Sequence, residues 1–192
     1  MFLWLPFLSY AVVVTYTPGP NNIMSMNNAA AVGLKKSIPF NLGIFAGFAI
    51  VMNLCMFFST VMFALIPKIE LPMKICGAAY MLYLAYNSVK RANKKNIEAK
   101  GGTFLEGLFL QFLNPKIFIY GITAMSAYIL PVFNSLPILI AFSCLLAFIG
   151  CTGNVCWALF GATFSKIFAN HSKLIGIVMA ILLIYCAVSL FI

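Results

Sequence analysis

Polar positions in this chain are bunched into short stretches that separate long apolar runs. The first run is uncharged for 34 residues, from Met1 to Leu34, and the apolar stretch Phe2–Gly33 is longer than the roughly 20 residues that cross a bilayer. Further runs cover Ser37–Pro67, Ile75–Val89, Gly107–Leu130, Leu136–Phe164 and Leu174–Ile192. Each is read as one spanning helix. Loops are expected at Lys35–Lys36, at Lys68–Lys74, across the linker Lys90–Glu106, at the uncharged turn between Pro131 and Pro137, and around Lys166–Lys173.

The excess length of the first run has a local cause. Thr17, Pro18, Gly19, Pro20, Asn21 and Asn22 lie in its middle, where two prolines remove backbone donors and the intervening glycine leaves helical angles cheaply. The helix is expected to break there. Freed backbone groups at membrane depth are tolerated only where protein or a water-filled cavity surrounds them, so the break is a candidate binding site. A second interruption, Asn114-Pro115-Lys116, falls in the fourth run. With three spans on either side of the linker, the two halves enter the membrane from opposite sides. The expected architecture is therefore an all-α membrane protein of six transmembrane helices in a 3+3 inverted repeat, with broken first and fourth helices. It is read as one transmembrane domain, with a first repeat over 1–89, a basic linker over 90–106 and a second repeat over 107–192.

Composition supports the membrane reading. Of 192 residues, 64% are hydrophobic and 8% charged, with a mean hydropathy of +1.05, which excludes a soluble globular domain. The segment Met1–Leu5 lacks the basic region of a secretory signal and is read as the start of a retained span. The net charge of +9 comes from residues in loops and reads as a topology signal, not as a nucleic-acid surface. Nine of the twelve Lys and Arg lie on the first, third and fifth loops, so the linker is placed in the cytoplasm and both termini outside. Cys55, Cys76, Cys144, Cys151, Cys156 and Cys186 all sit within apolar runs with no C-x-x-C pair, and read as packing residues.

The candidate chemistry is that of a zwitterion site. The half-helix beginning near Asn21 and Asn22 presents unpaired amides and a positive dipole end, which suit a carboxylate. Carbonyls near Thr15–Thr17, left without helical partners, suit an ammonium group. The alternative is a structural kink whose asparagines cap the helix. Lys116 is either an intramembrane charge that binds a carboxylate or a side chain that snorkels to the cytoplasmic surface. Asn154, on a face opened by Gly150, Gly153 and Gly161, serves either the site or interhelical packing. Gln111, Asn41 and Asn53 are weaker polar candidates, and Tyr80, Tyr83 and Tyr86 form a packing face or line a cavity. Catalysis has little to work with: the chain has no Asp, and its single His171 sits in a loop. No catalytic residue, metal site or cofactor is called for. The expected partners are a small amino-acid substrate and the lipid bilayer, with a homo-oligomer left open.

At Thr17-Pro-Gly-Pro-Asn-Asn, Asn114-Pro-Lys and Gly77-Ala-Ala-Tyr-Met-Leu-Tyr-Leu the chain resembles the LysE/RhtB family of amino-acid exporters, over essentially its whole length. Gly153-Asn-Val-Cys-Trp-Ala-Leu, Leu130-Pro131 and Ile184-Tyr-Cys-Ala-Val are similar to the branch that exports cysteine and O-acetylserine across bacterial inner membranes. The resemblance implies a six-span secondary transporter for export from the cytoplasm, coupled to the proton gradient. Exporters of homoserine, threonine or leucine are the alternatives within the family, and a non-transporting accessory membrane protein is the alternative outside it. Relatives that export homoserine and threonine often carry an Asp where this chain has Asn154, so an acid-based coupling site there does not carry over.

Overall fold

A computed structural model describes residues 2–92, 101–165, 172–189 and 191. The expected positions of His171 and of the charged residues over 93–100 lie outside the described residues. Among the described residues the fold is all-helical: α1 (Trp4–Tyr16), α2 (Pro20–Val32), α3 (Leu34–Phe57), α4 (Ser59–Ala92), α5 (Phe104–Phe112), α6 (Pro115–Thr123, continued by a wider π turn over Ala124–Ile129), α7 (Leu136–Thr163) and α8 (Ser172–Ser189). α3 and α7 are each long and apolar enough to cross a membrane as single helices. The bent pair formed by α5 and the α6 segment, which turns through 62°, makes a third such span.

Both expected interruptions are present. α1 stops at Tyr16 and α2 starts at Pro20, while α5 stops at Phe112 and α6 starts at Pro115. Three boundaries differ from expectation. Lys35 and Lys36 belong to the first turn of α3, because Gly33 alone makes the break, at φ +80°. That is the left-handed region, where a glycine carries no Cβ penalty. The loop expected at Lys68–Lys74 is absent, since the backbone is helical from Ser59 to Ala92 and the chain breaks instead at Phe58. A lone proline deletes one helical hydrogen bond, and neighbouring turns hold, so Pro39, Pro67 and Pro72 are carried through where two prolines flanking a glycine are not. The fourth run starts at Phe104 and not at Gly107. Thr103 caps it through a reciprocal capping box: the Glu106 amide donates to Thr103 Oγ1 at 3.3 Å and the Thr103 amide donates to Glu106 Oε2 at 2.7 Å.

Small residues set the packing. A Cβ on Gly43 would overlap the Phe104 carbonyl, and one on Gly107 the Phe40 carbonyl, so α3 and α5 cross with backbones nearly touching. Gly161 does the same for α7 against Met26 of α2. One core joins Phe7, Phe48, Met52, Tyr120, Met125 and Leu146 from α1, α3, the α6 segment and α7. A second joins α2, the later half of α4 and α8 through Ile23, Met26, Met81, Met179 and Leu183. None of the six cysteines is in a disulfide, and Cys55 and Cys186 lie inside the cores.

These contacts order the molecule along its long axis. Phe2 meets the rings of Phe133 and Phe142, so the amino terminus and the turn before α7 share one end. The Gly102 amide donates to Asn28 Oδ1 at 2.9 Å, and a Cβ on Gly101 would stand 3.0 Å from the Lys36 carbonyl oxygen, so the start of α5 and the α2–α3 junction share the other. Both helix breaks lie between.

Candidate functional site

The two breaks face each other around a cavity of about 30 Å³. Its lining comes from five helices and from both interruptions: Thr15, Gly19, Asn21 and Asn22 at the first, Asn114, Lys116 and Tyr120 at the second, Phe48 from α3, and Gly150 and Asn154 from α7. That volume admits one or two water molecules and no amino acid.

Most groups freed by the first break are already bonded within the chain. Asn22 Nδ2 donates to the carbonyls of Thr15 at 2.7 Å and Thr17 at 2.9 Å. Trp157 Nε1 donates to the Tyr16 carbonyl at 3.2 Å. Lys116 Nζ reaches across from the second break to the Thr17 carbonyl at 3.2 Å, Thr17 Oγ1 at 3.0 Å and the Pro18 carbonyl at 3.4 Å. The carbonyls expected to await a ligand therefore have side-chain donors in this conformation. Lys116 itself runs toward the first break.

Asn21, expected to begin a ligand-binding half-helix, joins the breaks to each other. Its Nδ2 donates to Gln111 Oε1 at 2.7 Å, while its Oδ1 accepts from Gln111 Nε2 at 3.3 Å and Asn114 Nδ2 at 3.2 Å. Gln111 also donates to the Gly107 carbonyl at 2.9 Å and is fully buried. Asn114 caps α6 by accepting from the Lys116 amide at 3.2 Å. No side chain caps α2, so the capping alternative holds for Asn114 and fails for Asn21 and Asn22. Pro20 is the first residue of α2 and buried. Gly19 is extended at φ −164°, which any residue adopts, so its conformational freedom is not what the break uses. The room it leaves matters instead: a Cβ there would stand 3.0 Å from Lys116 Nζ.

Among the residues lining the cavity, Asn154 is the exception to this internal bonding. It is 4% exposed, and its Nδ2 donates to the Gly150 carbonyl at 2.9 Å, while its Oδ1 has no partner. A buried amide oxygen left unbonded in a cavity wall is costly unless another molecule supplies a donor. Two helix N-termini, of α2 and α6, also border this cavity and bring positive dipole ends to it.

Tyr120 was not anticipated as a lining residue. It sits one turn after Lys116 on the same face of α6, which is the signal that places it in the cavity. Its ring lies nearly parallel to Tyr10 at 5.8 Å and edge-on to Phe48 at 5.8 Å. Gln111, a weaker candidate, proves central, whereas Tyr83 and Tyr86 are exposed and do not line this cavity. Among the described residues no group of His, Cys, Asp or Glu could hold a metal ion.

Comparison with known proteins gives this geometry its context. The chain is 39% identical over 186 residues to the cysteine/O-acetylserine efflux proteins of Escherichia coli (strain K12) and Shigella sonnei (strain Ss046), covering 96% of this chain and 95% of each relative. Identity to the cysteine/O-acetylserine efflux protein of Escherichia coli O1:K1 / APEC is 38% over the same coverage. No solved structure matches. Residues 12–192 match the family model described as LysE type translocator, a range that contains both breaks and every polar residue of the cavity, and the chain belongs to that family.

Proposed function

We propose that this chain exports cysteine and O-acetylserine from the bacterial cytoplasm across the inner membrane, holding the solute in the cavity between its two helix breaks. The observation that carries the site is Asn154 Oδ1, a buried acceptor without a partner. It faces a cavity bordered by two helix N-termini, which suit a carboxylate, so the lining offers complementary groups to a zwitterion. The choice of cysteine and O-acetylserine rests on the names of the relatives.

The cavity is too small for either solute, so transport requires the helices to part on one side and then the other. Toward the amino-terminal end it is flanked by the Tyr10–Tyr120 stack and Phe48. Toward the Gly33 end it is flanked by the Asn21–Gln111–Asn114 bonds. These two sets of contacts belong to opposite halves of the broken helices and are the candidate gates of an alternating-access carrier. The proposed topology is six spans in a 3+3 inverted repeat over 1–89 and 107–192, with both termini periplasmic. In its support, Gly101 and Gly102 at the carboxyl end of the linker lie against the Lys36 backbone and Asn28, so the first and third loops, both expected in the cytoplasm, share one end of the molecule.

A packing-only accessory protein is favoured by one observation, that so many freed groups are satisfied internally. Proteoliposomes loaded with labelled cysteine, O-acetylserine, homoserine and leucine separate the two. Export predicts efflux of the first two, lowered at least tenfold by Asn154→Leu without loss of folded protein. Flux no greater than from empty liposomes for all four solutes would favour the accessory role.

A further inference from the structure

We propose that Lys116 Nζ is a tethered stand-in for a substrate ammonium, resting on a cation seat at the end of α1 until a solute displaces it. The inference rests on the cavity being the solute site. The seat consists of the Thr17 and Pro18 carbonyls and Thr17 Oγ1, at 3.2, 3.4 and 3.0 Å from the nitrogen. Three oxygens around three ammonium protons satisfy a primary ammonium, and they stand at the negative pole of α1, where carbonyls lack helical partners.

Lys116 is oddly placed for a structural residue. It is the second residue of α6, at that helix's positive end, where a cation is disfavoured and an anion welcome. Nothing on its own helix balances it; the hydrogen bonds of its Nζ go to oxygens of the opposite break. A carboxylate arriving at the N-termini of α2 and α6 offers Lys116 a stronger partner than neutral carbonyls. Once the lysine turns to that carboxylate, the seat is open to the ammonium of the same solute. The exchange conserves charge at both positions and demands both groups of an α-amino acid, so Lys116 acts as a specificity-determining residue. Gly19 leaves room for this arrangement, since a Cβ there would stand 3.0 Å from the Nζ.

The seat can be tested apart from transport. Thermal unfolding of the full chain in detergent is compared in methylammonium chloride and in choline chloride at equal ionic strength, choline having no N–H to donate. In Lys116→Met the seat is vacant, and methylammonium should raise the Tm by about 2–4 °C relative to choline, while the wild type responds by less than about 1 °C. Lys116→Leu, which also removes the ammonium, should show the same response if Lys116→Met folds poorly. Equal Tm values in the two salts for both variants, or an equal rise in the wild type, would overturn the proposal. Cysteine efflux from wild-type proteoliposomes is measured alongside: a methylammonium response without efflux refutes the export reading and leaves the seat standing, whereas efflux without the response refutes the seat.

Discussion

Replacing Asn21 with alanine separates a latch from a ligand contact. In the structure its side chain makes three hydrogen bonds, at 2.7 and 3.3 Å to Gln111 and at 3.2 Å to Asn114, all buried. Interhelical hydrogen bonds in lipid average about 0.6 kcal/mol and reach about 1.7, so losing three costs roughly 2 kcal/mol and at most about 5. The higher figure applies if Gln111 and Asn114 find no new partners. Gln111→Ala removes two of the same bonds, so the two substitutions should not add; a double-mutant cycle should return a coupling of about 1 kcal/mol. The assay is unfolding in mixed micelles across a detergent titration, run beside cysteine efflux. A latch predicts lower stability and an altered maximal rate. A ligand contact alone predicts a raised half-saturating concentration with unchanged stability. Full additivity of Asn21→Ala and Gln111→Ala, within about 0.3 kcal/mol, would refute the latch.

Other positions give cleaner single effects. Gly33→Ala meets nothing within 4 Å, so its cost is that of an extended backbone at positive φ that essentially only glycine adopts, about 1–3 kcal/mol, readable as a drop in Tm with export retained. Gly107→Ala forces a Cβ into the Phe40 carbonyl and should lose about 1–3 kcal/mol, with α3 and α5 moving apart. Gly150→Val should press on the Phe48 ring, fill the cavity and abolish efflux with little change in membrane abundance, measured by immunoblot. In a background without the native cysteines, Asn134→Cys should react with an impermeant maleimide from the periplasm and Lys90→Cys only after the membrane is opened; labelling of both from one side would reverse the proposed topology.

Helix interruptions were the most legible feature of this chain, because their cause is covalent. Pro18, Gly19 and Pro20 within four residues of each other remove donors faster than neighbouring turns can compensate, and Asn114-Pro115 is a cap followed by a first-position proline. Helix starts were less well read, although Thr103-Phe-Leu-Glu106 is a capping signature that the charge of Glu106 disguised as linker. The stretch over 59–92 misled for a related reason. Charge and single prolines at Lys68–Lys74 read as a loop, yet neither stops a helix already propagating.

What no local pattern could supply was which polar groups pair across the molecule. Asn21 and Gln111 are 90 residues apart and Thr17 and Lys116 are 99 apart, and each side chain alone looks like an unsatisfied group awaiting a ligand. Tertiary pairing inverts that reading for most of them. In a bilayer an unpaired polar group is expensive enough that a closed carrier must bond its own site residues to one another, so substrate binding becomes an exchange of partners. The residue that does not take part in the exchange is then the informative one. Asn154 Oδ1 has no partner in the structure, and within the cavity wall an acceptor left open at that cost is the strongest local argument for the proposed site.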